Sequence, residues 1–202
     1  MIEKQIQYLV KLVSCASAKK YDLLPGIMDE LKSAVIEPAA IYESILQLYL
    51  FNGFPVAIQT LKVFKEHFPG YQPSKEQYNV NIFEKRGISN CKAVYNKNFD
   101  KLQSNISNLS PDLAEWMIIE GYGKVIGRSG LSLKERELLN VAMLCTNYSE
   151  NQLHSHIRGS LNTGSAYEII KEIIKYTEEY NSTENLLKSL YMLESINKPD
   201  LH

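Results

Sequence analysis

Three Ser-x-x-Glu/Gln quartets punctuate the second half of this 202-residue chain: Ser132-Leu133-Lys134-Glu135, Ser149-Glu150-Asn151-Gln152 and Ser165-Ala166-Tyr167-Glu168. Each has the capping-box form, in which the Ser oxygen accepts from the backbone amide three residues on and the Glu or Gln side chain accepts from the cap amide. Ser110-Pro111 adds a cap followed by Pro at the first helical position, and Ser74 with Gln77 makes a weaker start. Gly121, Gly130 and Gly164 suit helix stops, because glycine adopts the left-handed conformation after a last turn without a steric penalty. Between these marks the apolar residues follow a helical period: Leu9, Leu12 and Val13; Ile41, Ile45, Leu46 and Tyr49; Ile169, Ile173 and Tyr176. No period-2 run is bounded by hairpin turns. The chain is expected to be all-α.

The clearest break is Phe68-Pro69-Gly70-Tyr71-Gln72-Pro73-Ser74, after a helix that should close near His67. It divides the chain into residues 1–70 and 71–202, two parts expected to interlock as one bundle. A faint echo links them. A helix, a second helix (Asp22 to Ala34, Glu150 to Asn162) and a Glu-bearing third helix occur in each part.

Composition narrows the function classes. With 22 Lys+Arg against 23 Asp+Glu, the chain has no basic excess to neutralise a phosphate backbone, so nucleic acid is not expected as a partner. No apolar stretch approaches the roughly 20 residues of a membrane span, and Met1-Ile2-Glu3-Lys4 does not open a signal peptide. Cys15, Cys91 and Cys145 are odd in number, far apart and free of a Cys-x-x-Cys pair. They point to neither a disulfide frame nor a thiolate zinc site, and to a reducing, cytoplasmic setting.

The residues able to carry chemistry cluster between Tyr122 and Gly164. Glu137 shares a helix face with Val141, Leu144 and Tyr148. A carboxylate on an apolar stripe either becomes a proton-transfer group or pairs with a cation, here Arg136, Arg128 or Arg158. His156 lies at the edge of the Leu153, Ile157 and Ser160 face, as a packed polar group or a general acid–base. His154 and His156 are two residues apart, about 200° around a helix, and cannot share one metal ion; no metal is expected. In the first part, Gly53 and Pro55 should break a helix beside Phe51 and Phe54. This is either a packed corner or the apolar wall of a pocket.

Several linked blocks resemble the carboxymuconolactone decarboxylase family of the alkylhydroperoxidase-D-like superfamily. They are Pro111-Asp112-Leu113-Ala114-Glu115-Trp116, Gly121-Tyr122-Gly123-Lys124-Val125, Arg128-Ser129-Gly130-Leu131, Arg136-Glu137-Leu138-Leu139 and His156-Ile157-Arg158-Gly159-Ser160-Leu161-Asn162. Tyr42-Glu43-Ser44-Ile45-Leu46-Gln47, with Tyr49, Gly53 and Pro55, looks like the C-terminal helix pair of the same module. The resemblance implies an alkylhydroperoxidase-D-like helical bundle built from two diverged copies of one module. It implies cofactor-free decarboxylation of a small carboxylated lactone, in a homo-oligomer, trimer or hexamer. His156 and Glu137 would act as the acid–base pair; Arg128, Arg136 and Arg158 would hold the substrate carboxylate; Tyr49, Phe51, Gly53 and Phe54 would wall the site. The redox branch of the superfamily places Cys-x-x-Cys between its Glu and His, and those two places fall on Ser149 and Gln152. They would line the site as polar residues, and thiol peroxidase activity is not expected. A non-catalytic small-molecule-binding scaffold is the competing reading.

Overall fold

The computed structural model describes residues 2–197; Met1, which opens the segment read for a leader, lies outside them. Two helices make the centre, one buried on every side over its middle and the other on all but an edge of Lys4, Gln7, Tyr8 and Lys11. In α1 (Lys4–Ser17), Ile6, Leu9, Val10, Leu12, Val13, Cys15 and Ala16 are all buried. In α7 (Leu133–Asn147), every residue from Arg136 to Thr146 is buried. These two pack on each other. Around them lie helices with a single apolar stripe. One is α2 (Leu24–Ser33), through Leu24, Ile27, Met28 and Leu31; another is α9 (Tyr167–Tyr176), through Ile170, Ile173 and Ile174. All the described secondary structure is helical, as the periodicity requires.

The long α3 (Pro38–His67) begins with Pro at its first turn and is interrupted at Gly53, whose φ of 79° and ψ of 168° lie outside the helical region. Gly-x-Pro therefore does break the helix. Gly53 supplies a positive φ that a β-carbon would strain, and Pro55 then restarts the chain. Residues 71–79 form no helix, so the weak start at Ser74 is not used. Long-range contacts hold the segment extended instead: Glu76 is taken by Arg86, and Tyr78 donates to Glu120.

α4 (Val80–Tyr95) is capped by Asn79. It is followed by α5 (Phe99–Leu109), α6 (Pro111–Trp116, capped by Ser110) and a π-helical stretch, Met117–Val125. The helix passes through Gly121 without stopping, contrary to the sequence expectation. Close packing of the π segment on α4 explains why glycines are needed there. A β-carbon on Gly123 would sit 2.1 Å from the Phe83 carbonyl oxygen, and one on Gly87 2.1 Å from that of Ile118. The other glycine expectations hold: Gly130 and Gly164 have φ of 97° and 89°. Of the three quartets, Ser132–Glu135 forms a full capping box. α8 (Glu150–Asn162) follows Ser149 without a side-chain cap, and the N-cap of α9 is Ala166, one residue after Ser165. α10 (Thr183–Asn197) ends the described chain. One apolar core runs from Ile2 to Leu193 and draws on both sides of the Phe68–Ser74 break. A smaller one, around Cys91, Val94, Ile118, Tyr122 and Ile126, joins α4 to the π segment.

Candidate functional site

α7 and α8 pack side by side, and the contact is made polar at one level. Glu137, one turn into α7, is fully buried, and His156, in the middle of α8, is 3% exposed. His156 Nδ1 lies 2.8 Å from Glu137 Oε2. Gly159 makes room for this pair: a β-carbon there would come within 2.6 Å of Glu137 Oε2 and of Val94 Cγ1. The Phe51 ring, at the end of the first half of α3, meets the imidazole edge-on at a centroid distance of 5.3 Å.

A chain of amides runs from this pair to a buried arginine. Asn140 Nδ2 donates to Glu137 Oε1 at 3.0 Å. Gln47 Nε2 donates to Asn140 Oδ1, and Arg136 Nη1 donates to Gln47 Oε1 at 3.2 Å. Guanidinium has donors only, so Gln47 must present its oxygen to Arg136 and its nitrogen to Asn140. Asn140 is then fixed the same way round, and Glu137 is left as an acceptor on both oxygens. With Glu137 an ionised acceptor, the 2.8 Å contact calls for a hydrogen on His156 Nδ1, from which Asn140 Nδ2 also lies 3.4 Å. Each link polarises the next in surroundings of low dielectric constant.

The arginines do not meet Glu137. Arg136 Nη2 donates to Glu43 Oε2 at 2.9 Å and to the carbonyls of Arg128 and Ser129. Arg128 Nε reaches both Glu43 oxygens at 3.0 Å, and its Nη1 lies 3.4 Å from Glu76. Arg136, with no exposed surface, is the internal counter-ion of Glu43 and cannot touch a substrate. Arg128 is held by two carboxylates. The expectation that these two grip a substrate carboxylate is corrected on that ground. Arg158 is exposed and sits two residues past His156, on the opposite side of α8. Ser149 and Gln152 are exposed at the start of the same helix, with Gln152 one turn before His156. Of the aromatic wall, Phe51 touches His156, whereas Tyr49 stacks on Phe54 at 5.0 Å and shares Glu120 with Tyr78 and Lys124. Gly53 is the bend between them. Sequence reasoning missed Glu43, Gln47 and Asn140 as parts of the site. Their signal was present in the i, i+4 spacing of Glu43 and Gln47 and the i, i+3 spacing of Glu137 and Asn140, each pair on one helix face.

All three cysteines are buried, and Cys91 is near enough to feel the Glu137 charge. Burial pushes the Cys15 and Cys91 thiols up to about 12, and raises that of Cys145, which contacts Thr177 and Asn181. Among the described residues, no three His, Cys, Asp or Glu side chains come together to hold a metal ion, and no helix is long and apolar enough to cross a membrane.

Peroxisomal protein 2 of Schizosaccharomyces pombe is 26% identical over 175 residues, covering 83% of this chain and 82% of that protein. The 4-carboxymuconolactone decarboxylase of Acinetobacter baylyi is 24% identical over 102 residues, covering 50% of this chain and 76% of the relative. Peroxisomal protein 2 of Saccharomyces cerevisiae is 27% identical over 88 residues, 43% of this chain and 31% of the relative. The carboxymuconolactone decarboxylase family model matches residues 111–194, the stretch that holds Glu137, Asn140 and His156. Over residues 111–194 the chain is similar to the carboxymuconolactone decarboxylase family.

Proposed function

We propose that His156 and Glu137 form an acid–base centre for decarboxylation of a small carboxylated lactone or related acid, with no cofactor. The observation that carries this reading is the buried 2.8 Å contact between His156 Nδ1 and Glu137 Oε2. In the proposed reaction, the bond from the ring carbon to the carboxylate breaks and CO2 leaves. The electron pair enters the conjugated lactone carbonyl; His156 Nε2, having taken a proton from solvent to form the imidazolium, delivers it to carbon and leaves the neutral imidazole. Glu137 stabilises the imidazolium, and Asn140 holds Glu137 in place. The Phe51 ring supplies an apolar wall, beside which loss of the carboxylate charge is favoured.

The test is turnover of 4-carboxymuconolactone, read as CO2 release, by wild type, His156→Asn and Glu137→Gln. Loss of general acid–base catalysis lowers turnover by about 10²–10⁴-fold. A wild type with no turnover would sink the decarboxylase reading. A second reading, a small-molecule-binding scaffold, is favoured by one observation: His156 is 3% exposed and closed over by Phe51. Ligand binding without turnover in all three proteins would establish it. Thiol peroxidase activity remains disfavoured, because Ser149 and Gln152 occupy the thiol places and burial keeps all three cysteines protonated at neutral pH.

What supports the two-copy reading is a parallel packing: α3 lies on both α1 and α7, and α9 on both α7 and α1. It requires that one rotation superpose α1–α3 on α7–α9. A homo-oligomer, trimer or hexamer, would cover Leu109, Leu113 and Trp116, which are 84%, 52% and 58% exposed. Light scattering that returned a monomer mass would end that proposal. The reducing compartment is the cytoplasm or, by the printed names of two relatives, the peroxisome.

A further inference from the structure

α8 presents one side to Glu137 and the other to a groove. On that outer side, His154, Arg158 and Asn162 face α4 and α5, and together with Lys101 they help line a cavity of about 360 Å³. Three of its lining side chains carry or can carry positive charge: Lys101, His154 and Arg158. None of its lining residues is Asp or Glu. Neither Lys101 nor Arg158 pairs with a carboxylate among the described residues. Asn98 and Asn105 add amide donors, while Tyr95 and Leu102 supply an apolar surface. Cationic side chains gathered in a concavity without counter-ions repel one another, and this cluster shows it. Burial, and then the Arg158 charge, hold the His154 imidazole below its ordinary 6.5.

We propose that this groove binds a small organic dianion, a dicarboxylate or a phosphate monoester on a short apolar body, through Lys101, Arg158 and His154. Arg158 offers a planar fork that matches carboxylate and phosphate oxygens, and Lys101 brings a second charge on a flexible stem from the facing element. Tyr95 and Leu102 cover the body of the ligand. The volume lies near the lower end of the roughly 300–1,000 Å³ range of ligand pockets, which limits the ligand to a small molecule. The groove is distinct from the His156–Glu137 pair. Residues 154 and 158 each lie two positions from His156, about 200° around the helix. The proposal therefore stands whether or not His156 is catalytic.

Isothermal titration with phthalate, phenyl phosphate and, as a monoanion, benzoate tests it. At low salt, one or both dianions are expected to bind below about 1 mM, with benzoate at least about tenfold weaker. The Lys101→Gln/Arg158→Gln double variant removes only exposed groups, and it is expected to lose at least about tenfold in affinity. His156→Asn should bind as wild type does. Phthalate binding alone identifies a dicarboxylate site; phenyl phosphate alone identifies a phosphate site. No binding of either dianion at about 10 mM, or equal affinity in the double variant, would overturn the proposal. So would loss of binding in His156→Asn, because the ligand would then occupy the other side of α8.

Discussion

Gln47 belongs to α3, yet it decides which nitrogen of a histidine on α8 carries a hydrogen. It accepts from Arg136 and donates to Asn140, and Asn140 in turn orients Glu137 against His156. Gln47→Leu would leave Asn140 Oδ1 and a guanidinium N–H buried without partners, at a cost of about 1–3 kcal/mol. Asn140 would then be free to flip. The expected result is a lower Tm and a mixed tautomer signal for His156 in ¹⁵N NMR, where wild type shows hydrogen on Nδ1. Unchanged ¹⁵N shifts would mean that Glu137 alone sets the tautomer. His156 and Glu137 could be picked from the sequence because an ionisable group on an apolar stripe stands out against its neighbours. Arg136 is one of the three cations the sequence offers to Glu137, but adjacent helical residues point about 100° apart. Its partner instead comes from the other half of the chain, at Glu43.

At the scale of elements, the α4 contact with the π segment depends on absent side chains. The backbones approach so closely at Gly87 and Gly123 that a single methyl group would overlap a carbonyl oxygen. Gly123→Ala must push the π segment off Phe83, and overpacking of this kind costs about 1–3 kcal/mol or more. Gly121→Ala, two residues earlier, meets nothing within 4 Å and is expected to be nearly neutral. Thermal unfolding of the pair gives the comparison, and equal melting temperatures would remove the close-packing argument. The helix stop expected at Gly121 is not found, and nothing lies within 4 Å of its β-carbon position, whereas Gly87 and Gly123 mark close approaches that only the facing helix reveals. The bend at Gly53 was legible because Pro55 follows it, and proline narrows the choices by removing an N–H.

For the molecule as a whole, the two parts of the chain are tied by charge as well as by a shared core. Glu76, in the extended segment between them, bonds Arg86 of α4 and Arg128 beyond the π segment. The hydrogen bond from Arg86 holds the Glu76 carboxyl below its ordinary 4.5. A carboxylate whose folded pKa is depressed adds stability above its unfolded pKa, and that stability is lost as pH falls through the folded value. Wild-type Tm should therefore fall from about pH 4.5 downward, and Glu76→Gln should start lower at pH 7 with a shallower acid limb. Parallel curves would show that the segment contributes nothing to acid stability.

The sequence by itself determined the all-α class, most helix starts, the bend in α3 and the candidate acid–base residues. These follow from local rules: capping, periodicity, and the backbone limits of Gly and Pro, each satisfied within a few residues. Tertiary structure alone decided which charges neutralise one another. Glu43, 93 residues from Arg136 along the chain, closes the buried ion pair, and α8 turns Arg158 toward an open groove while His156 turns inward. The physical reason is desolvation: a buried charge must find its counter-charge wherever the packing brings one within reach, whatever the separation in sequence.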